Sequence, residues 1–202
     1  MLASSLPKVD ISGLRTGLWR HQIEAFHFAM ALLSQGGGCL LALYMGCGKT
    51  LVSIMVMAAT WAKRTLIIAP LRVVPVWPRE IRKHLDREFV IAILDQDTGS
   101  LADRLDWARQ KEAEAKVRKL PFVVVANYEI FYKEKFQAWA RCGLWDLVIG
   151  DEIHRIKSPG GKASLAFKHL RPYANRRLGL SGTPMPHSLL DVYGPFRFLD
   201  QS

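Results

Sequence analysis

The sequence is short of cysteine, short of acids and free of long apolar runs. Cys39, Cys47 and Cys142 are the three cysteines among 202 residues. Their odd number closes no disulfide framework and their spacing matches no metal-ligand pattern, so the chain reads as reduced and cytoplasmic. Polar residues interrupt every apolar stretch before the ~18–20 residues a membrane span requires. Met1 to Lys8 lacks the basic segment and apolar stretch of a secretory signal. No membrane partner is therefore expected. Internal repeats and low-complexity tracts are missing as well. Asp and Glu number 18 against 28 Lys and Arg, which leaves a net charge of +10. That imbalance favours a polyanionic partner, nucleic acid first. Half of the residues are apolar, enough to core one α/β domain of this length and marginal for two.

One stretch carries the strongest local signal. An apolar run from Cys39 to Leu43 reads as a buried strand. Met45-Gly46-Cys47-Gly48-Lys49-Thr50 follows, then an apolar helix from Leu51. Strand, glycine turn, Lys-Thr and helix is the layout of a phosphate-binding loop. Gly46 and Gly48 allow backbone N–H groups to converge on an anion, because glycine accepts positive φ and has no Cβ in the way. The helix start adds free N–H groups and the positive end of a dipole. Lys49 would reach the β- and γ-phosphates of a nucleotide and Thr50 would ligate Mg²⁺. The full pattern, G-x-x-x-x-G-K-[ST], is met only in part, since Leu43 holds its first position.

Apolar residues at Ile23, Phe26, Met30 and Leu33 predict a helix from Leu18 to about Ser34, after a loosely ordered lead-in over 1–17. Gln35 to Gly38 should end it. Strands are expected at 65–69, 90–94, 122–126, 147–150 and 177–181. Helices should lie between them at 74–85, 101–119, from after Glu129 to about 141, and up to 170, with a last one over 188–199. Most of these strands are continuous apolar runs. This predicts an α/β domain with three layers, α/β/α, around a mostly parallel sheet covered on both faces. Ligands bind such sheets at the carboxyl ends of the strands, where the glycine loop, Pro70, Asn127, Asp151 and Ser181 all fall.

Asp151-Glu152 follows the strand 147–150 and supplies what the loop lacks. Phosphoryl transfer needs Mg²⁺ near the β- and γ-phosphates and a group that orients the attacking water. Asp151 suits the first role and Glu152 the second, as water-positioner or general base. A nucleoside triphosphate with Mg²⁺, ATP first, is thus the expected ligand.

With these residues in view, the chain resembles superfamily 2 helicase-like ATPases, and among them the Swi/Snf-type DNA translocases. Met45 to Thr50 is similar to M-G-L-G-K-T. Leu66 to Leu71 with Trp77, Glu80 and Ile81 resembles motif Ia and the following W-x-x-E-[IF]. Asn127-Tyr128-Glu129 matches S/N-Y-E, Asp151 to Lys157 is close to D-E-A-H-R-I-K, and Leu180 to Pro184 resembles L-T-G-T-P. Gln22 falls at the family's Q motif. The likeness runs from about residue 18 to 200. Leu43-Tyr44 stand where the family has Asp-Glu, Trp19 near a frequent Arg, Ile153 for Ala and Ser181 for Thr. These departures point to a divergent bacterial or phage-type branch.

The resemblance implies a P-loop NTPase domain of RecA-like fold over 18–202, the first of two helicase lobes. It implies that Gln22 reads adenine, that Met45 to Thr50 cradle the phosphates, and that Lys49, Asp151 and Glu152 are catalytic. It further implies that His154, Ser181 and Thr183 couple hydrolysis to movement on duplex DNA, with Arg72, Tyr128 and Lys157 as nucleic-acid contacts. Trp77 reads as core. The second lobe, absent from this sequence, would bring an arginine worth ~10³–10⁵ in rate, so this chain alone should hydrolyse ATP very slowly. Two alternatives remain open at this stage: an RNA or single-strand helicase of another superfamily 2 branch, and a non-hydrolysing nucleic-acid-binding module.

Overall fold

The computed structural model describes residues 11, 13–34, 36–95, 99–185 and 188–200. Six strands among them form one sheet: β1 (Gly38–Ala42), β2 (Arg64–Ala69), β3 (Val90–Leu94), β4 (Phe122–Asn127), β5 (Trp145–Asp151) and β6 (Ala174–Ser181). Their order is β1-β6-β5-β2-β4-β3, and every pairing is parallel. Helices cover both faces, so the expected three-layer architecture is present and the sheet is wholly parallel.

Strand alternation divides the core. Leu41, Ile67, Val125, Ile149 and Leu178 face α1 (Arg20–Leu33), α2 (Lys49–Ala59) and α3 (Val76–His84). Leu66, Ile68, Val124 and Val148 face the other layer. That layer contains α4 (Leu101–Arg118), α5 (Tyr128–Phe131), α6 (Glu134–Ala140), α7 (Lys162–Leu170) and α8 (Tyr193–Leu199). The strands read as unbroken apolar runs because both their faces are covered.

Three differences from the sequence expectation have local causes. The single helix expected between Glu129 and Arg141 is two helices, the first starting already at Tyr128. Lys133 is extended between them, and the buried Gln137 amide donates to the Phe131 carbonyl at 2.7 Å, capping the first. The last helix begins at Tyr193, after a 3₁₀ turn over Leu189–Val192. Pro195 then sits in its first turn, where a missing N–H breaks no helical bond. Finally, the described part of the lead-in is tied down. Leu14 bridges to Leu85, Arg15 pairs with Asp86 and the Arg15 N–H donates to the His84 carbonyl at 2.9 Å. Residues 1–10, Ser12 and Gln35, where the rest of the lead-in and part of the helix stop were expected, lie outside the described residues.

Candidate functional site

β1 delivers the glycine loop to the carboxyl edge of the sheet. Gly46 and Gly48 have φ of 80° and 81°, in the left-handed region where side chains are strained. A Cβ on Gly48 would come within 2.5 Å of the Gln22 amide nitrogen, so the loop and α1 meet on a bare backbone. The turn closes into α2 at Lys49, whose first-turn N–H groups have no partners within the helix. The Lys49 ammonium donates to the carbonyls of Leu43 at 2.8 Å and Tyr44 at 3.2 Å.

Gln22 is buried and braces this loop. Its Oε1 accepts the Trp19 N–H at 3.0 Å and its Nε2 lies 3.5 Å from the Cys47 carbonyl. His21 Nε2 lies 3.0 Å from the same carbonyl. Sequence reasoning passed over His21, and its place on α1 offered no signal for it.

A cavity of about 430 Å³ opens between Gly46, Gly48, Lys49 and Thr50 on one side and Asp151 and Glu152 on the other, with Glu80 and His84 of α3 on its wall. β5 ends in Asp151, 6% exposed. The Trp77 indole N–H donates to its Oδ2 at 3.1 Å, and the Tyr128 hydroxyl donates to its backbone carbonyl at 2.7 Å. Burial pushes the Asp151 carboxyl up to about 6, and the neighbouring Glu152 charge pushes the same way; the Trp77 bond and Lys49 oppose the shift. Glu152 takes a left-handed backbone, φ 51°, a strained state for a residue with a side chain. Its Oε2 lies 3.3 Å from His154 Nδ1. That nitrogen is 3.1 Å from Ser181 Oγ, which accepts the Thr183 N–H at 3.1 Å. Burial lowers the His154 pKa, which favours the neutral ring near pH 7. A connected path thus leads from Glu152 to the loop after β6.

The nucleic-acid candidates fare unequally. Arg72 is exposed in the turn after β2, where the Val73 and Val74 N–H groups close on the Pro70 carbonyl. Lys157 is half-buried, its ammonium 4.0 Å from Asp191. Tyr128 needs a correction: at 3% exposure it packs beside Phe167 and has no surface to offer a nucleic acid. Its hydroxyl is spent on Asp151, and burial raises its pKa well above the usual value. Trp77 is core as expected, yet it also holds the carboxylate; a buried indole N–H must find an acceptor, and that was the available signal. Glu80 and His84 were missed as cavity residues. His84 Nε2 lies 2.9 Å from Glu80 Oε2, and its Nδ1 meets the Thr16 hydroxyl.

Chemically, the donor set suits a nucleotide with a hard cation. Thr50 and Asp151 offer oxygen ligands, Lys49 and helix N–H groups offer anion donors, and a Cβ on Gly46 would meet nothing within 4 Å, so the loop is open at that point.

Comparisons with known proteins agree with this geometry. The family model described as SNF2-related domain matches residues 21–202. The chain is 32% identical over 195 residues to the DNA repair and recombination protein RAD54 of Oryza sativa subsp. japonica, covering 88% of this chain and 19% of that protein. It is 25% identical over 186 residues to human chromodomain-helicase-DNA-binding protein 1, covering 89% of this chain and 10% of that one. It therefore spans a fifth or less of the length of these relatives. Among solved structures, the Sulfolobus solfataricus SWI2/SNF2 ATPase core in complex with dsDNA superposes with a TM-score of 0.73 at 24% identity, covering 96% of this chain and 38% of that one. That likeness shows the RecA-like fold. With a family model spanning nearly all of the described residues, the chain belongs to the SNF2-related domain family.

Proposed function

We propose that this chain is the ATP-binding motor lobe of a translocase that couples ATP hydrolysis to movement on duplex DNA. One observation carries the reading: Lys49 and Thr50 face Asp151 and Glu152 across a single cavity, and Glu152 is linked through His154 and Ser181 to the loop after β6. The relatives named for DNA repair and recombination and for DNA binding, and the fold neighbour solved with dsDNA, support the same substrate.

Lys49 exchanges two loop carbonyls for the β- and γ-phosphates. Gly46, Cys47 and Gly48, with Met45 leading in, present the backbone to them. Gln22, already against the loop, turns its amide nitrogen to adenine. Thr50 and Asp151 would hold Mg²⁺, which when bound would supply charge neutralisation at the phosphates. Asp151 would have to be ionised to do so, against the upward push of its burial. Glu152 orients the attacking water and accepts its proton. His154, Ser181 and Thr183 pass the change at Glu152 to the sheet edge, and Arg72 and Lys157 hold the DNA backbone. A second lobe completes the site with an arginine, so this chain alone turns over slowly. The three cysteines are free, which supports a reducing, cytoplasmic setting.

Calorimetry with Mg·ATP tests the reading. The chain should bind, Lys49→Ala should bind roughly 10–100-fold more weakly through loss of a charge-assisted contact, and Glu152→Gln should bind as the parent does. Equal binding by the parent and Lys49→Ala would end the reading.

A further inference from the structure

The nucleotide cavity is not the largest concavity of the molecule. An open trough of about 800 Å³ lies at the opposite, amino edge of the sheet. It is bounded by the end of α7, the turn after it, the start of β6 and the end of α8. The strand β6 spans the two edges, and seven steps of roughly 3.3 Å put them ~23 Å apart. Lys168, Arg171, Arg176, Arg177 and Arg197 line the trough, and among the described residues no Asp or Glu does.

These five cations divide into two kinds. Arg177 and Arg197 brace the walls. Buried Arg177 donates to the carbonyls of Ala174 at 3.1 Å, Leu199 at 3.2 Å and Gly36 at 3.3 Å. Arg197 donates to the Pro159 carbonyl at 2.6 Å and to Ser164 Oγ at 2.9 Å. Asp200 is the carboxylate that acts on Arg177, against Arg171 and against burial. Lys168, Arg171 and Arg176 are of the other kind. Among the described residues no carboxylate is within salt-bridge distance of them. Arg171 donates a long bond of 3.4 Å to the Arg197 carbonyl. The Arg176 Nε is buried without a partner. The carboxyl ends of α7 and α8 temper this field in part, but they cannot balance five full charges.

Part of the surface elsewhere is neutralised locally. On α4, Lys111, Lys116 and Arg118 meet Glu112 and Glu114. Positive charge left unpaired around an open trough is the footprint of a polyanion. The donors come from several segments around an open surface and form no closed cage, so they suit a backbone passing across them.

We propose that the amino edge of the sheet carries a second phosphate-binding site, formed by Lys168, Arg171 and Arg176, which takes the phosphodiester backbone of a DNA duplex. It is separate from Arg72 at the carboxyl edge and gives the lobe a hold on a second segment of duplex. It goes beyond the proposed motor function and does not need it: Lys49→Ala should leave this site intact.

The test is anisotropy of a labelled 20-base-pair duplex bound to the chain between 50 and 200 mM salt. Each phosphate contact contributes about 0.9 to the slope of log affinity against log salt. The variant Lys168→Ala/Arg171→Ala/Arg176→Ala should lose about 2–3 from the slope and at least ~10-fold in affinity at 50 mM. An equal charge removal elsewhere, Arg109→Ala/Lys133→Ala/Lys135→Ala, should change neither by more than a third as much. If the first variant melts early, the pair Lys168→Ala/Arg171→Ala is read instead, with a slope loss of about 2. Identical behaviour of trough and control variants overturns the proposal. So does a parent chain that binds tripolyphosphate in the trough but no duplex, which would assign the site to free polyphosphate.

Discussion

The two edges of the sheet hold charge in opposite ways. At the carboxyl edge a buried acid, an ammonium and a second acid share one cavity, and each is only partly answered: Asp151 by an indole, Lys49 by two carbonyls, Glu152 by a neutral histidine. At the amino edge the charges that line the trough are of one sign, with Asp200 acting on Arg177 from outside the lining, and the buried member, Arg177, rests on three carbonyls. The first arrangement mixes signs and sets oxygen ligands beside its donors; the second is a set of cations. On the two proposals made above, one sheet presents two surfaces for phosphate, and only the first would call for a metal.

The comparison can be broken first at its mechanical base. A Cβ on Gly38, at the start of β1, would lie 2.1 Å from the Leu199 carbonyl. Neither atom is the end of a flexible side chain, so Gly38→Ala should cost about 3 kcal/mol or more in urea unfolding. A loss under ~1 kcal/mol would mean that α8 is free to slide. Next in size is Asp151. Its folded pKa of about 6 lies above the ordinary value of 3.8, so the folded state holds its proton more tightly. Stability on this account is greatest below pH 4 and falls as pH rises through 6. Asp151→Asn should flatten that fall and gain up to ~3 kcal/mol at pH 8. Denaturation midpoints against pH are the readout, and a parent as stable at pH 8 as at pH 4 would refute it.

Tyr128→Phe sharpens the contrast between core and surface. It leaves a buried carbonyl without its donor and should cost about 1–2 kcal/mol, while duplex affinity stays level. Smallest in stability is Arg72→Ala, within about 0.5 kcal/mol. It should take about one from the salt slope of duplex binding, a loss additive with that of the amino-edge variant. An unchanged slope would remove Arg72 from the DNA surface.

Much of the site was legible because its residues lie at ends of apolar runs: the glycine loop after β1, Asp151 after β5, Ser181 at the end of β6. The position of each run fixes the edge on which its last residue sits. Strand order was not legible, since β1 pairs with β6 and β2 with both β4 and β5, and parallel partners leave no mark in local spacing. Tyr128 misled for a related reason. Asn127 caps the Ile130 N–H at 2.8 Å and turns the chain inward, so a tyrosine at a loop entrance is buried. Trp77 was read as core and Glu80 as pattern only, because their work depends on α3 lying over the end of β5. The amino-edge cations are spread over α7, β6 and α8, and only the packed sheet gathers them.

The pairing of β1 also sets an order of events in synthesis. Among the described residues β1 is an outer strand of the sheet with β6 as its one neighbour, which the ribosome makes near the end of this chain. The middle strands can assemble as they emerge, but the glycine loop has no neighbouring strand until Ala174–Ser181 appears. Non-local contacts of that kind form late because the intervening chain must first be closed up. A nascent chain halted before β6 thus carries the whole phosphate-binding sequence without a place to hold it.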